Sequence, residues 1–290
     1  MMTLTSRRGF LIGLALAIPA LAAVAAAPPV QLDPTIREFK LPADIPWRHG
    51  ENGAASAVLY GDPSKPGLYV QLLKRGPNQW SKPHSHPNDR YITVLEGTFW
   101  AGTGTAYDPE RTVPLKPGTF MRDVANKVHF DGSKDDGLTV MFVGMGPATS
   151  SPAEVTQPSG SGQVTVDPAA REIHPLDKIV WNTTETSSSV TLAGDPGKPG
   201  IYVQYLRRKP NQWSRPHSHP NDRFIMVMGG TMYIGTGATF DKDSTVGLPK
   251  GGFVRDLAQK LHFDGSKDDE LWIQIAGIGP ATSTASQPPK

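Results

Sequence analysis

The chain has 290 residues and a formal net charge of +2, with 29 lysines and arginines against 27 aspartates and glutamates. That near-balance leaves no basic surface for nucleic acid and no strongly charged tail. Cysteine is absent, which excludes disulfides, thiolate nucleophiles and thiolate metal ligands, so any metal must be held by histidine and oxygen ligands.

Residues 1–27 read as an export signal. Arg7 and Arg8 precede an apolar stretch from Leu11 to Val24, and the alanine-rich run that follows offers small-residue cleavage sites ending at Ala25 or Ala27. Paired arginines before a mildly hydrophobic core resemble the twin-arginine leader of bacteria, which exports proteins already folded. A general secretory leader or a retained anchor is the alternative, but the apolar run is short for a span of about 20 residues. The expectation is a protein delivered to the periplasm or the exterior, free of the membrane once the leader is cut.

Beyond the leader the pattern is that of strands. Leu68–Leu73, Tyr91–Leu95 and Leu138–Val143 are rich in β-branched and aromatic residues. Turn chemistry separates them at Asp62-Pro63, Glu96-Gly97, Lys116-Pro117-Gly118 and Asp131-Gly132. Glycine (30) and proline (28) make up about a fifth of the chain, against an average of roughly 12 %, as frequent turns between short strands require. No segment keeps a helical period with caps. The fold class is therefore all-β, a sandwich or barrel.

A long internal repeat sets the domain plan. The segment Pro77–Arg90 (PNQWSKPHSHPNDR) recurs as Pro210–Arg223 (PNQWSRPHSHPNDR), an offset of 217 − 84 = 133 that holds to 279 − 146 = 133 at the Gly-Pro-Ala-Thr-Ser segment closing each half. Upstream, Trp47 and Trp181 differ by 134. Such a period means two whole domains and not a solenoid: residues 28–149 and 164–290, joined by a linker at 150–163 without apolar periodicity.

Six of the eight histidines fall in the repeat. His84 and His86 stand two apart, which on a strand puts both side chains on one face, and His129 follows on a later segment that a neighbouring strand could bring opposite. His217, His219 and His262 repeat the set. Three converging imidazoles would hold one divalent metal per half, up to two per chain, with coordination positions left open. Buried imidazoles that never meet metal are the competing reading, and the doubled spacing argues against it. His49 and His174 have no repeat partner and are expected on the surface. Trp80 and Trp213 are expected as packed rim residues, and Asp131–Asp136 with its copy Asp264–Asp269 as polar hairpin turns without chemistry.

The pattern His84-x-His86-x-x-x-Arg90 with Gly97, followed by Pro117, Gly118 and His129, resembles the two motifs of the cupin superfamily, and the second half repeats it with His217, His219, Arg223, Gly230, Gly251 and His262. The resemblance implies a bicupin: two tandem double-stranded β-helix (jelly-roll) barrels, each with a central metal. It also implies activities of the oxalate decarboxylase, gentisate dioxygenase or quercetin dioxygenase kind. One departure matters, because cupins usually carry a glutamate ligand where this chain has Arg90 and Arg223, and a guanidinium has no lone pair to donate. Either the site is a three-histidine site with an anion-binding arginine beside it, or Asp89 and Asp222 supply a fourth, oxygen ligand; the first is favoured. The leading functional expectation is a metal-dependent oxygenase or lyase acting on a small organic anion oriented by Arg90 and Arg223. Iron(II) is favoured, with manganese, nickel and zinc as alternatives. The alternatives are a non-catalytic periplasmic binding or sensing bicupin, and a structural jelly roll that uses its metals for stability alone.

Overall fold

A computed structural model describes residues 30–158 and 166–286; the leader expected at 1–27 lies outside them. The described chain is all-β, with four one-turn 3-10 segments. In each half a seven-stranded sheet faces a five-stranded one. The large sheet of the first half runs Arg171–His174, Phe120–Asp123, Arg90–Gly97, Leu138–Gly146, Gly67–Arg75, Ala55–Tyr60, Arg48–His49. Its small sheet runs Ser151–Pro152, His84–Ser85, His129–Gly132, Phe99–Thr103, Val113–Leu115. The second half repeats both orders, and every strand pairing is antiparallel. This is the tandem jelly-roll architecture expected from the turn-rich, strand-patterned sequence.

The apolar run at 138–143 shows why the halves pack together. Alternation along a strand sends successive side chains to opposite faces. Leu138, Val140 and Phe142 accordingly enter the first barrel's interior beside Ile92, Val94, Phe99 and Met121. Met141 and Val143 point the other way, into a cluster shared with Val203, Tyr205, Phe224, Met226 and Phe253 of the second half. A strand buried on both faces needs no polar alternation. The seam carries a few polar links: the Tyr205 hydroxyl donates to the Gly118 carbonyl at 3.2 Å, and Thr93 hydrogen-bonds Gln274.

The halves also exchange arms. Arg37–Lys40, from the start of the first half, pairs with Phe253–Asp256 of the second half's large sheet. Arg171–His174, from the start of the second half, pairs with Phe120–Asp123 of the first. The expected division into 28–149 and 164–290 thus follows chain order, while each barrel's outermost strand comes from the other half. The expected linker is also partly structured: Ser151–Pro152 forms an edge strand on His84–Ser85, and Thr156 bridges Ala106.

The two arginines at the arm starts explain the exchange. Arg171 has no exposed side-chain surface; its Nε donates to Asp123, its Nη2 to Asp131 at 3.0 Å and its Nη1 to the Phe130 carbonyl at 3.3 Å. Arg37 does the same in the second half, with Nε on Asp256, Nη2 on Asp264 at 2.9 Å and Nη1 on the Phe263 carbonyl at 2.7 Å. A buried charge is tolerated only when paired and hydrogen-bonded, and each arm fulfils that condition for two aspartates of the opposite barrel. Asp131 and Asp264 therefore correct the hairpin reading. Both lie in strands, His129–Gly132 and His262–Gly265, that are buried throughout. An Asp-Gly pair signals a turn locally, but here two arginines fix each aspartate inside: Arg75 joins Asp131 at 2.8 Å, and Arg208 joins Asp264 at 2.6 Å.

Candidate metal centre

His84 and His129 are direct cross-strand partners, as are His217 and His262. The strand carrying His84 ends at Ser85, and His86 follows at the edge before Pro87. The chain turns there but keeps His86 on the barrel's inner side, 3 % exposed. In each half one ring nitrogen from each of the three imidazoles lies within 4.8 Å of the others. The six expected histidines are thus brought together as two triads. His49 and His174 are on the surface, and Trp80 packs on Gly132 as Trp213 does on Gly265.

The hydrogen bonds fix which nitrogens converge. The Nδ1 of His84 faces the Lys82 carbonyl at 2.7 Å, that of His86 the Thr149 carbonyl at 2.8 Å and that of His129 the Lys127 carbonyl at 3.1 Å. A carbonyl only accepts, so each Nδ1 carries the proton and each Nε2 presents a lone pair. The second half repeats this with Arg215, Thr282 and Lys260 as the acceptors. Histidines that ligate metal usually have the second nitrogen oriented in this way. The Nε2 atoms of His86, His129 and His262 are buried with no hydrogen-bond partner, a costly arrangement unless something accepts the lone pair. The donor set of the first half fits a divalent cation, and in the second half the same three imidazoles converge.

The electrostatics keep the four most buried of these imidazoles, two in each half, neutral. Burial, aided by the Arg90 charge, pushes the His86 pKa down to about 4, and burial pushes that of His129 down to about 3. Burial and Arg223 take His219 to about 3, and burial takes His262 to about 4. A neutral imidazole is the ligating form.

Asp89 and Asp222, the alternative oxygen ligands, are turned elsewhere. Asp89 accepts from the Arg122 guanidinium at 2.8 Å and from the Ala125 amide at 2.8 Å, and Asp222 is held likewise by Arg255 and Ala258. The carboxylates that do approach the triads come from a strand the sequence reading passed over. Asp123 Oδ2 lies 3.4 Å from His129 Nε2, and Asp256 Oδ2 lies 3.4 Å from His262 Nε2. Burial alone would raise the Asp123 pKa, but the Arg171 and Arg90 guanidiniums more than reverse this and hold the carboxyl well below the usual range. The repeated Arg-Asp pair (Arg122-Asp123, Arg255-Asp256) was the available signal, since it recurs at the same offset of 133 as the histidines.

The arginines divide the two centres. Arg90 pairs with Asp123 at 3.2 Å and lies 4.7 Å over the Phe142 ring. Beside it opens a cavity of about 740 Å³ lined by His84, His86, Arg75, Lys82, Tyr69 and Phe142 among others. That is within the usual size for a small-molecule site, about 300–1,000 Å³. In the second half the residue at the Phe142 position is Ile275, which has no aromatic face. There the Arg223 Nη1 donates to His219 Nε2 at 2.6 Å, over the triad itself.

Solved structures resemble this fold. Oxalate decarboxylase from Lactobacillus farciminis, solved as a formate complex, aligns with a TM-score of 0.60 at 13% identity, covering 86% of this chain and 88% of that one. Bacillus subtilis oxalate decarboxylase at pH 4.6 aligns with a TM-score of 0.58 at 12% identity, covering 85% and 78%. A cupin 2 conserved barrel domain protein from Leptotrichia buccalis aligns with a TM-score of 0.55 at 13% identity, covering 80% and 92%. No family model and no curated protein matches the chain. The fold is that of a two-domain cupin, and the described residues include two three-histidine groups that could each hold a metal ion.

Proposed function

We propose that this protein is an exported, metal-dependent enzyme of the lyase or oxygenase type, acting on a small organic anion at the His84–His86–His129 centre, with iron(II) as the favoured metal. The observation that carries this reading is the convergence of the His84, His86 and His129 imidazoles, with His84 and His86 on the wall of a cavity that also presents Arg75, Lys82 and Arg90. A divalent cation held there would supply a Lewis-acid charge that polarises a bound anion. Arg90 would hold the anion's remote end through charge-assisted hydrogen bonds, its guanidinium held by Asp123 and the Phe142 ring. The buried walls, Tyr69 and Phe142 among them, exclude water from that contact. The neighbours named for oxalate decarboxylation support a small organic acid as the substrate class. Among the described residues no helix is long and apolar enough to cross a membrane; the Arg7-Arg8 pair ahead of the apolar run Leu11 to Val24 is what supports export.

The second centre favours a different role. With Arg223 over His219, it fits a binding or stabilising site without turnover, and it is where the non-catalytic reading of the whole protein would begin. Element analysis of chelator-free preparations tests the proposal. His84→Ala plus His217→Ala should strip most metal and keep the β-rich fold. Arg90→Ala should keep the metal and weaken anion affinity by about 1.5–3 kcal/mol, the worth of a hydrogen bond to a charged group. A wild type that stays metal-free when offered iron, manganese, nickel and zinc would sink the enzyme reading. Oxygen-consumption and carbon dioxide-release assays on a panel of small acids then separate oxygenase from lyase.

A further inference from the structure

The repeat makes each half a control for the other, so a place where they differ at the seam is informative. In the second half Trp272 stands edge-on to Tyr205, with ring centroids 5.6 Å apart, and the Arg207 guanidinium lies 5.1 Å from its ring. The indole reaches so far across that a Cβ added to Gly118 would lie 2.7 Å from Trp272 Cη2. At the offset of 133, the counterparts of Trp272, Tyr205 and Gly118 are Thr139, Leu72 and Gly251. There the packing is left incomplete, and a Cβ on Gly251 would meet nothing nearer than Pro42 at 3.6 Å. In place of the indole is a cavity of about 210 Å³, with Trp47, Leu72, Met226 and Met228 among its apolar walls.

We propose that this seam cavity binds a small planar aromatic anion of the arene carboxylate class, separately from the metal centres. The internal copy shows that a flat ring fits this shape, because the second half fills it with its own indole. Apolar cavities of comparable size, about 150 Å³, take up benzene, and the two methionine thioethers give soft, adaptable contacts to a ring. Charge selects the anion. Lys74 lies 4.2 Å over the Trp47 ring and Lys250 stands at the exposed rim, neither ion-paired among the described residues. Glu96, the one carboxylate of the lining, is engaged by the Thr139 hydroxyl at 3.2 Å. Two ammonium groups against one carboxylate leave the mouth positive.

Calorimetric titration of the full chain with indole-3-acetate and with neutral indole tests this. Wild type should bind one equivalent of each saturably below millimolar concentration. Thr139→Trp should weaken both at least tenfold while metal content stays unchanged. Lys74→Met should weaken the carboxylate several-fold and leave indole unaffected. Trp272→Thr opens the matching position, so it should add a second equivalent, and this arm decides should Thr139→Trp fail to fold. Full binding by Thr139→Trp, no second equivalent in Trp272→Thr, or no saturable binding by wild type overturns the proposal. Loss of indole-3-acetate binding in His84→Ala plus His217→Ala would place the anion at the metal centres and overturn it too; the metal-site reading itself fails only on metal content.

Discussion

Replacing Arg171 by alanine should be among the most damaging single changes in the chain. The side chain is fully buried and serves three acceptors, Asp123, Asp131 and the Phe130 carbonyl. After its removal Asp131 keeps Arg75 at 2.8 Å, but Asp123 keeps only the longer contact to Arg90 at 3.2 Å. Breaking a buried pair by deleting one partner costs about 3–5 kcal/mol, because a charge is left uncompensated in the interior. At roughly 2–4 °C per kcal/mol for a protein of this size, the melting temperature should fall on the order of 10 °C. Arg171→Lys should restore little, since one ammonium cannot reach both carboxylates in the fork geometry. Urea and thermal unfolding of metal-free wild type and variant at pH 7.5 measure the effect. The pH dependence identifies the cause. Without the guanidinium Asp123 protonates more readily, so the gap between variant and wild type should narrow as pH falls towards 5. A loss below about 1 kcal/mol, or a gap that does not change with pH, would refute the idea that the exchanged arm neutralises these aspartates.

Other outcomes follow from the same geometry. Phe142→Ile gives the first centre the second centre's residue, so Arg90 should fold onto His86 and anion affinity should drop about as far as in Arg90→Ala; titration of the metal-loaded protein with oxalate reads this, and unchanged affinity would acquit Phe142. Metal-free protein should lose stability as pH falls from about 6.5 towards 4. His86, His129, His219 and His262 are depressed in the folded state, so the unfolded chain takes up protons first, with a ceiling of about 1.4 kcal/mol per pH unit for each histidine. The lowered aspartates act only below the ordinary carboxylate range, so a urea midpoint that stays flat down to pH 4.5 would contradict the histidine assignment. Replacing Arg7 and Arg8 by lysines should leave the protein in the cytoplasm with its leader uncut, as cell fractionation would show; normal delivery would indicate the general secretory route.

The strands and the triads were legible because their signals are local or repeated. Leu138–Val143 announces a strand by composition, and the six histidines announce themselves by recurring at one offset. Asp123 and Asp131 were harder. A buried aspartate in a strand contradicts local propensity, and it is explained only by an arginine on another segment. Arg171 is 48 residues from Asp123, and Arg37 is 219 residues from Asp256. No periodicity encodes such a pairing, although Arg37-Glu38 and Arg171-Glu172 do repeat. The contrast between Arg90 and Arg223 was hidden for a related reason, since the motif around the two arginines is the same and the difference lies at Phe142 and Ile275, on another strand.

The arm exchange gives the molecule the topology of an interlocked two-fold dimer whose subunits have been tied into one chain. Each barrel's buried aspartates complete their pairing only with the other half's arginine, so neither half alone is a complete folding unit. Covalent continuity then raises the local concentration of the partner, while the arms hold the barrels together. The two halves supplied as separate chains would be held by the same clasp, and they would separate only when both arms let go.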